Sequence, residues 1–356
     1  MRKYRFAGLT LTSKIGLSSD NPIISPCFYD WLLANNIGII FTPTITRNTL
    51  PEEKDKRYAK ISIAELTEED YIIITRPLSM SFDLFTNLLL QRLKDSSKNN
   101  SSIPIVASIA GKRLSDFADI IEKLEESGIF SAIELDLIST QILLGSRRGL
   151  FEYSIDLIDE IISITKMTVI SKIPVSMALS KDTLPDLLKT DVKGIVISPH
   201  PIYSIGSHIF RVHSTALSRI NINILAKVLT QFEEIDVAYV DDALEIEKKE
   251  KPFIYKIFNL LLYDVSFLLN FKKSIRSYTR GFQEFPIIWP HLRKGFKLVV
   301  DPRYVKQCSK ICPYDAIPFK EEEELIEVTD KCDFCGLCVS ICPKNSVKKA
   351  RVFTPL

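Results

Sequence analysis

Glycine is scarce in this sequence. It accounts for 12 of the 356 residues, about half of the roughly 7 % that is usual in proteins. No candidate strand is followed by a Gly-x-Gly-x-x-Gly turn, and no glycine lies between Gly206 and Gly281. Because glycines allow backbone N–H groups to approach a phosphate closely, these absences argue against a dinucleotide-binding turn and against a glycine-rich phosphate loop late in the chain.

A large excess of one charge and long apolar runs are also lacking. The net charge is +2, whereas proteins that bind nucleic acid or anionic membranes through charge are strongly basic. No apolar run approaches the roughly 20 residues that span a bilayer. The basic N-terminus leads into no apolar segment typical of a signal peptide. We therefore expect a cytoplasmic protein with no membrane span and no nucleic-acid partner.

Cysteine is nearly absent before the C-terminal region. Of the seven cysteines, six lie between Cys308 and Cys342, and the seventh is Cys27. A lone cysteine with apolar neighbours usually belongs to the core, and we predict this for Cys27. Clustered cysteines in a chain without an export signal favour metal binding over a disulfide framework.

The strongest motif in the chain is Cys-x2-Cys-x2-Cys-x3-Cys-Pro, formed by Cys332, Cys335, Cys338 and Cys342. This is the spacing of bacterial ferredoxins. Three thiolates on one tight loop each reach a different iron of a cubic cluster, and the fourth cysteine ligates the other cluster in two-cluster ferredoxins. The motif therefore predicts a ferredoxin-like module that binds a [4Fe–4S] cluster.

A second copy of the motif is incomplete. Cys308 and Cys312 match its last two positions, but Pro302 and Val305 occupy the first two and cannot ligate iron. In two-cluster ferredoxins, the last cysteine of each motif ligates the cluster of the other motif. The last cysteine of the incomplete copy therefore completes one set of four thiolates, and the second set lacks ligands, so we predict one cluster rather than two. The predicted ligands are Cys312, Cys332, Cys335 and Cys338.

The two remaining cysteines of the module are Cys308 and Cys342. We expect them to lie close together, either as thiols or as a disulfide. A zinc knuckle is the alternative for the whole module, since zinc also takes four cysteines. Zinc sites usually use two separated Cys-x2-Cys hooks, however, and the double Cys-Pro ending favours iron–sulfur.

The rest of the chain alternates short β-branched runs with segments of helical period, such as Leu114–Ser127, Phe151–Ile164 and Thr215–Phe232. About eight repeats of this alternation predict a parallel sheet. We predict a (β/α)8 barrel over residues 1–285 and a connector with a small α+β ferredoxin-like domain over residues 286–356. An open doubly wound sheet is the alternative. The predicted strands are Pro22–Ser25, Gly38–Ile45, Tyr71–Thr75, Pro104–Ala110, Ala132–Leu137, Thr168–Ile173, Val192–Ser198 and Ile235–Val240, with Phe253–Phe258 as a further candidate.

Several short segments resemble the dihydroorotate and dihydropyrimidine dehydrogenase family, an FMN-binding (β/α)8 barrel that in some members carries a C-terminal ferredoxin domain. The similarity covers most of the chain. The segments that carry it are Gly8–Leu11, Asn21–Ile24, Phe41–Thr46, Pro104–Gly111, Ala132–Asp136 and Ser171–Pro174.

This resemblance implies an oxidoreductase that acts on a CH–CH bond of a small-molecule substrate. It implies that Lys172 and Thr44 contact the flavin and that Ser139 is the catalytic base. Electrons would pass from FMN to the cluster and on to an electron-transfer partner. Homodimers are common in the family, so a dimer is expected.

The sequence also departs from the family. Pro43 stands where the family has a flavin-contacting lysine, and Asp136, Gln141 and Ser198 stand where asparagines are expected. Val240–Asp242 replaces a glycine pair at the phosphate. Two hypotheses therefore remain open: a flavin-dependent dehydrogenase, or a barrel without flavin that serves as an electron relay or scaffold for a catalytic homologous subunit.

Two further features leave alternatives open. Lys172, at the end of a predicted strand, either contacts a flavin or a substrate carboxylate or faces solvent. His200, His208 and His213 lie within 14 residues and either bind a metal or an anion or belong to a surface loop, which we favour.

Overall fold

The parts of the chain described below come from a computed structural model. It describes residues 4–20, 29, 33, 37–47, 61–65, 71–75, 79–91, 93–95, 103–144, 150–180, 182–205, 208–214, 235–240, 260–263, 296–312, 316–318, 326–329 and 346–351.

The strands in these ranges are short, and most contain two to five residues. They are β1 Tyr4–Phe6, β2 Leu9–Leu11, β3 Ile15–Leu17, β4 Ile39–Phe41, β5 Ile45–Thr46, β6 Ile61–Glu65, β7 Tyr71–Thr75, β8 Met80–Ser81, β9 Ile105–Ile109, β10 Ala132–Asp136, β11 Thr168–Pro174, β12 Gly194–Ser198, β13 Ile202–Ile205, β14 His208–Ser214, β15 Asp236–Val240, β16 Leu260–Tyr263, β17 Phe296–Val300, β18 Ile326–Glu327 and β19 Val347–Arg351.

The helices in these ranges lie mainly between strands of the parallel sheet. They are α1 Phe82–Phe85, which continues into a π-helical segment Thr86–Leu90, α2 Leu114–Ser127, α3 Leu137–Leu144, α4 Leu150–Ile164, α5 Val175–Ala178, α6 Thr183–Lys189 and α7 Pro302–Ile311. None of these described helices is long and apolar enough to cross a bilayer.

The largest sheet in the described ranges is a curled parallel sheet. Neighbouring strands pair in parallel in the order β3, β4, β9, β10, β11, β12, β15 and β16, and β16 pairs again with β3. The prediction of an α/β protein built on a parallel sheet is confirmed. Several segments that connect these strands lie outside the described residues, so a complete set of eight strand–helix units stays a prediction.

The space enclosed by the parallel strands is apolar at one end. Val106, Ala132, Ile170 and Val196 lie no further along than the middle of their strands and pack in one buried cluster with Phe6 of the β1–β2 hairpin. The hairpin is held there partly by the N–H of Ala7, which donates to Oδ2 of Asp236 at 2.7 Å. The hairpin thus covers the amino ends of the strands.

The same strands become polar toward their carboxyl ends. Since alternate residues of a strand share a face, Glu134 and Asp136 follow Ala132 on the inner face, and Lys172 follows Ile170. The outer face stays apolar and packs on helices, as Phe117 and Ile121 of α2 belong to the same core cluster as Ile133. This arrangement sets a polar site at the carboxyl ends of the sheet, where parallel-sheet proteins place their functional residues.

A second sheet is antiparallel, with the order β13, β14, β7 and β6. We predicted Tyr71–Thr75 as a strand of the barrel, and this is wrong, because β7 pairs with β6 and β14 instead. The first strand of the parallel sheet is Ile15–Leu17, which the sequence analysis missed. Pro22–Ser25, Phe253–Phe258 and Thr215–Phe232 lie outside the described residues.

The C-terminal region forms a three-stranded antiparallel sheet in the order β18, β17 and β19. Helix α7 follows β17 and begins with Pro302 after an N-cap, where Oδ1 of Asp301 accepts from the N–H of Arg303 at 3.0 Å. Both an N-cap aspartate and a proline in the first turn favour helix initiation. The predicted ferredoxin-like fold and the domain boundary near residue 286 stay predictions.

Candidate functional site

Five charged side chains are buried together at the carboxyl ends of the parallel strands. Asp20, Glu134, Asp136, Lys172 and Arg211 each expose at most 2 % of their surface, and we call them the buried charged cluster. Charged residues are almost never buried to this degree unless they are paired. The pairing within the cluster therefore decides what the site can do.

Lys172 lies at the centre of the cluster. Its ammonium group forms an ion pair with Asp20, lies 3.4 Å from Oδ2 of Asp136 and donates to Oγ of Ser19 at 3.0 Å. Burial alone would lower the pKa of Lys172, but the carboxylates of Asp136 and Asp20 outweigh it, so that the pKa is raised. Lys172 is thus a buried cation, and the alternative of a lysine that faces solvent is wrong.

Asp20 connects the two sheets. Its carboxylate accepts from Oγ of Ser198 at 2.6 Å and pairs with Nη1 of Arg211 at 2.7 Å. Burial would raise the pKa of Asp20, but the positive charges of Arg211 and Lys172 outweigh it and hold the pKa well below its usual range. Because Arg211 belongs to β14, the antiparallel sheet contributes directly to the charged site of the parallel sheet.

The residues implied by the family resemblance meet at Asp136. Thr44 and Ser139 each donate a hydroxyl hydrogen bond to its Oδ2 at 2.7 Å, and the N–H of Ser139 donates to Oδ1 at 3.0 Å. Burial would raise the pKa of Asp136, but Lys172 and Arg211 lower it further than burial raises it. The structure therefore brings Thr44, Ser139 and Lys172 together around one ionised carboxylate, while their predicted roles remain predictions.

Glu134 differs from the two aspartates. Its Oε1 accepts a hydrogen bond from Ser19, and no hydrogen-bond partner of Oε2 lies in the described part of the chain. Burial raises the pKa of Glu134 from 4.5 to about 7, and the attraction of Lys172 offsets only part of that rise. Glu134 can therefore hold or release a proton near neutral pH.

Two histidines lie beside the cluster. His200 and His213 expose 4 % and 0 % of their surfaces, and their ring centroids are 4.3 Å apart. Our interpretation of these residues as surface-loop histidines is wrong, because they are packed against the charged site. The side chain of His208 is not described. In the described ranges, no three His, Cys, Asp or Glu side chains come together as a metal site.

The described residues do not fit a flavin held in the manner of the resembled family. Such a flavin requires the ammonium group of Lys172 to face the cofactor, but this group is fully buried between Asp20 and Asp136. At Pro43, where the family places a second lysine, no N–H donor exists. Asp241 and Asp242, at the expected phosphate position, lie outside the described residues.

Cys312 ends helix α7 and is almost fully buried. Its Sγ remains a thiol and accepts the N–H of Ala316 at 3.2 Å. Hydrogen bonds from N–H groups to cluster sulfurs tune the reduction potential of iron–sulfur proteins. The donor atom, the burial and this N–H therefore fit a cluster ligand at Cys312.

Cys308 lies one helical turn before Cys312 but has a different state. It is fully buried and takes part in a disulfide, and its Sγ is 3.9 Å from Oγ of Ser346. Its proximity to Cys342 stays a prediction, because that residue is not described. The roles of Cys27 and of the other three predicted ligands also stay predictions, because these residues are not described: Cys332, Cys335 and Cys338.

The sequence analysis did not single out Ser19, Asp20, Glu134 or Arg211. One signal was available, since Glu134 and Asp136 alternate with apolar residues in Ile-Glu-Leu-Asp and must therefore share a face of the strand. Two carboxylates on the inner face of a parallel strand require a buried cation, and Lys172 follows on the next strand. Nothing local to Asp20 or Arg211 indicates that they meet.

Comparison with known families supports the C-terminal prediction. Residues 302–352 match the family model described as the LdpA Fe-S cluster-binding domain. No curated protein matches the chain. The match agrees with the cysteine motif, and the chain is an iron–sulfur protein.

Proposed function

We propose that this chain is a one-electron carrier that binds a single [4Fe–4S] cluster. Its ligands are Cys312, Cys332, Cys335 and Cys338. The observation that carries the proposal is the difference between Cys312, a buried thiol that accepts an N–H hydrogen bond, and Cys308, whose sulfur is in a disulfide. One thiolate from helix α7 and three from the later loop complete one cubic cluster and leave too few for a second.

The barrel in this proposal has no flavin. Lys172, the residue that the resembled family uses at the cofactor, is fully engaged by two carboxylates inside the protein. A chain with a cluster but no second redox cofactor passes electrons between other proteins. We therefore propose that its partner is an electron-transfer protein or a catalytic homologous subunit.

The finer structural expectations belong to the same proposal. The curled parallel sheet would be a complete (β/α)8 barrel, and the C-terminal sheet with α7 would be part of a ferredoxin-like domain, in a cytoplasmic protein. A dehydrogenase that acts on a CH–CH bond is the competing function. The convergence of Thr44, Ser139 and Lys172 on Asp136 favours it, whereas the burial of Lys172 opposes it.

Anaerobic purification followed by metal, acid-labile sulfide and flavin assays on one sample tests the proposal. We expect about four iron and four sulfide per chain, and no bound FMN even after incubation with an excess of it. Reduction with dithionite should give the electron paramagnetic resonance signal of a one-electron-reduced cluster. Zinc in place of iron contradicts the cluster, and stoichiometric FMN contradicts the relay and supports the dehydrogenase.

A further inference from the structure

Two buried nitrogens of Arg211, Nε and Nη2, have no hydrogen-bond partner in the described part of the chain. The side chain is 1 % exposed, and Nη1 is used by Asp20. Buried polar atoms are nearly always hydrogen-bonded, and an exception in a folded protein needs a reason such as a ligand or a water.

The two unfilled atoms belong to the same edge of the guanidinium group. Nε and Nη2 donate in parallel from one side of the plane, and this fork matches the two oxygens of a carboxylate or a phosphate. Nη1, on the other side, already holds a carboxylate in Asp20. Both donors of this edge can therefore bind two oxygens of the same carboxylate or phosphate group.

We propose that this edge of Arg211 binds a small molecule through a carboxylate or phosphate group, at the carboxyl ends of the parallel strands. The ligand would lie between the antiparallel sheet, which supplies Arg211, and the parallel sheet, which supplies the rest of the cluster. This site uses none of the predicted cluster ligands, so the proposal does not rest on the proposed function.

The charges of the site set a condition on binding. Lys172 and Arg211 are balanced by Asp20 and Asp136, so an anion adds a negative charge to a set that is already neutral. Glu134, which faces Lys172 and Asp136, is the residue of the cluster that can compensate by holding a proton. The other titratable groups beside it are the imidazole of His200, 3.9 Å from Oδ2 of Asp20, and that of His213, which packs on His200. Binding therefore takes up a proton and is tighter at low pH.

Calorimetric titration of the intact holoprotein tests the site. The probes are sodium phosphate and sodium formate at constant ionic strength, with sodium chloride as the blank, at pH 6 and pH 8. We expect saturable binding of at least one probe, tighter at pH 6. Phosphate alone indicates a phosphate ligand, and formate alone indicates a carboxylate ligand. Saturation by neither probe at either pH overturns the proposal.

The variant Arg211→Lys keeps the charge but loses the fork. We expect it to bind the probe about tenfold more weakly or worse, since one bidentate contact is removed. Arg303→Lys is the matched control, because Arg303 is 78 % exposed at its side chain and lies outside the site. Equal affinity of Arg211→Lys and the wild type overturns the proposal.

A crystal structure of the wild type keeps the proposal testable if Arg211→Lys does not fold. Crystals grown with and without the bound probe are compared at the guanidinium group. The expected result is density for an anion with two oxygens within hydrogen-bonding distance of Nε and Nη2. Water molecules there under both conditions overturn the proposal.

Discussion

Nη1 of Arg211 lies 2.7 Å from Oδ1 of Asp20, and this contact joins the two main sheets of the molecule. Asp20 also pairs with Lys172, so one carboxylate serves two buried cations. Removal of one partner from a buried pair is costly because it leaves the other charge uncompensated. The loss of Asp20 should therefore destabilise the contact between the curled parallel sheet and the antiparallel sheet.

The variant Asp20→Asn tests this dependence. Its amide cannot compensate Lys172 and Arg211, whose remaining carboxyl neighbours among the described residues would be Asp136 and Glu134. We expect the free energy of unfolding to fall by roughly 3–5 kcal/mol, measured by urea denaturation followed by circular dichroism.

Asp191→Asn is the matched control. Asp191 pairs with Lys193 at the surface, and its side chain is 72 % exposed. Exposed pairs contribute about 0–1 kcal/mol, so this variant should unfold like the wild type. Equal and small losses in both variants would show that the buried charged cluster does not hold the sheets together.

Local patterns predicted much of the fold. Leu114–Ser127 was predicted with its observed bounds, because an apolar stripe and the following Gly128, at φ 69°, define the helix and its end. Ala132–Asp136 was predicted as part of a strand one residue longer. Both signals lie within a few residues of the element that they specify.

Features that depend on distant residues were not predicted. The β-branched run Tyr71–Thr75 has the composition of a barrel strand, but its place in a sheet is set by pairing with β14, more than 130 residues later. The buried charged cluster also depends on residues that are far apart in the sequence. Asp20 and Arg211 each look like a solvated charge in isolation, and only the curled sheet brings them together with Lys172 in one buried site.

Glu134 should make stability depend on pH near neutrality. Burial raises its pKa from 4.5 to about 7, so between these values the folded state holds a proton that the unfolded state has lost. The free energy of unfolding therefore falls as the pH rises from 4.5 to 7 and is unaffected by Glu134 above that. Glu134→Gln cannot lose a proton and lacks this decrease. The free energy of unfolding of the variant, relative to that of the wild type, should therefore rise by about 3 kcal/mol between pH 4.5 and pH 7.

Glu125→Gln is the control variant, because it shows whether the pH dependence between pH 4.5 and 7 is specific to Glu134 or common to carboxyl groups. The N–H of Lys166 and the hydroxyl of Thr165 lower the pKa of Glu125. Its contribution is thus present above pH 4.5 and is lost as the pH falls below that value. Urea denaturation at several pH values should give a constant difference from the wild type between pH 4.5 and 7. A flat profile for Glu134→Gln as well would contradict the assignment of a raised pKa.

Gly38 should tolerate no side chain. A Cβ at this position would lie 2.1 Å from the carbonyl oxygen of Ser13, and the N–H of Gly38 donates to the oxygen of Ile15 at 2.7 Å. Because the neighbour is backbone, Gly38→Ala must displace the start of β4 from β3. We expect a loss of about 2–3 kcal/mol or more in the free energy of unfolding.

Gly128→Ala provides the comparison for Gly38→Ala. Gly128 has φ 69°, and a Cβ there meets nothing within 4 Å. The cost is then limited to the left-handed backbone, about 1 kcal/mol. Thermal melts of both variants by circular dichroism should show the larger drop in Gly38→Ala, and the reverse order would contradict the close approach of β3 and β4.

Cys308 in helix α7 and Cys312 at its C-cap should differ in their effect on the cluster. Cys312→Ala removes a predicted ligand, so iron per chain should fall well below the wild-type value and the visible absorbance band should be lost. Cys308→Ala removes a disulfide cysteine that is not a predicted ligand, so iron and sulfide should stay at the wild-type ratio. Both variants lose one buried sulfur, from helix α7 or from its C-cap, and far-UV circular dichroism of each excludes unfolding as the cause. Loss of iron in Cys308→Ala with retention in Cys312→Ala would reverse the assignment and place Cys308 in the cluster.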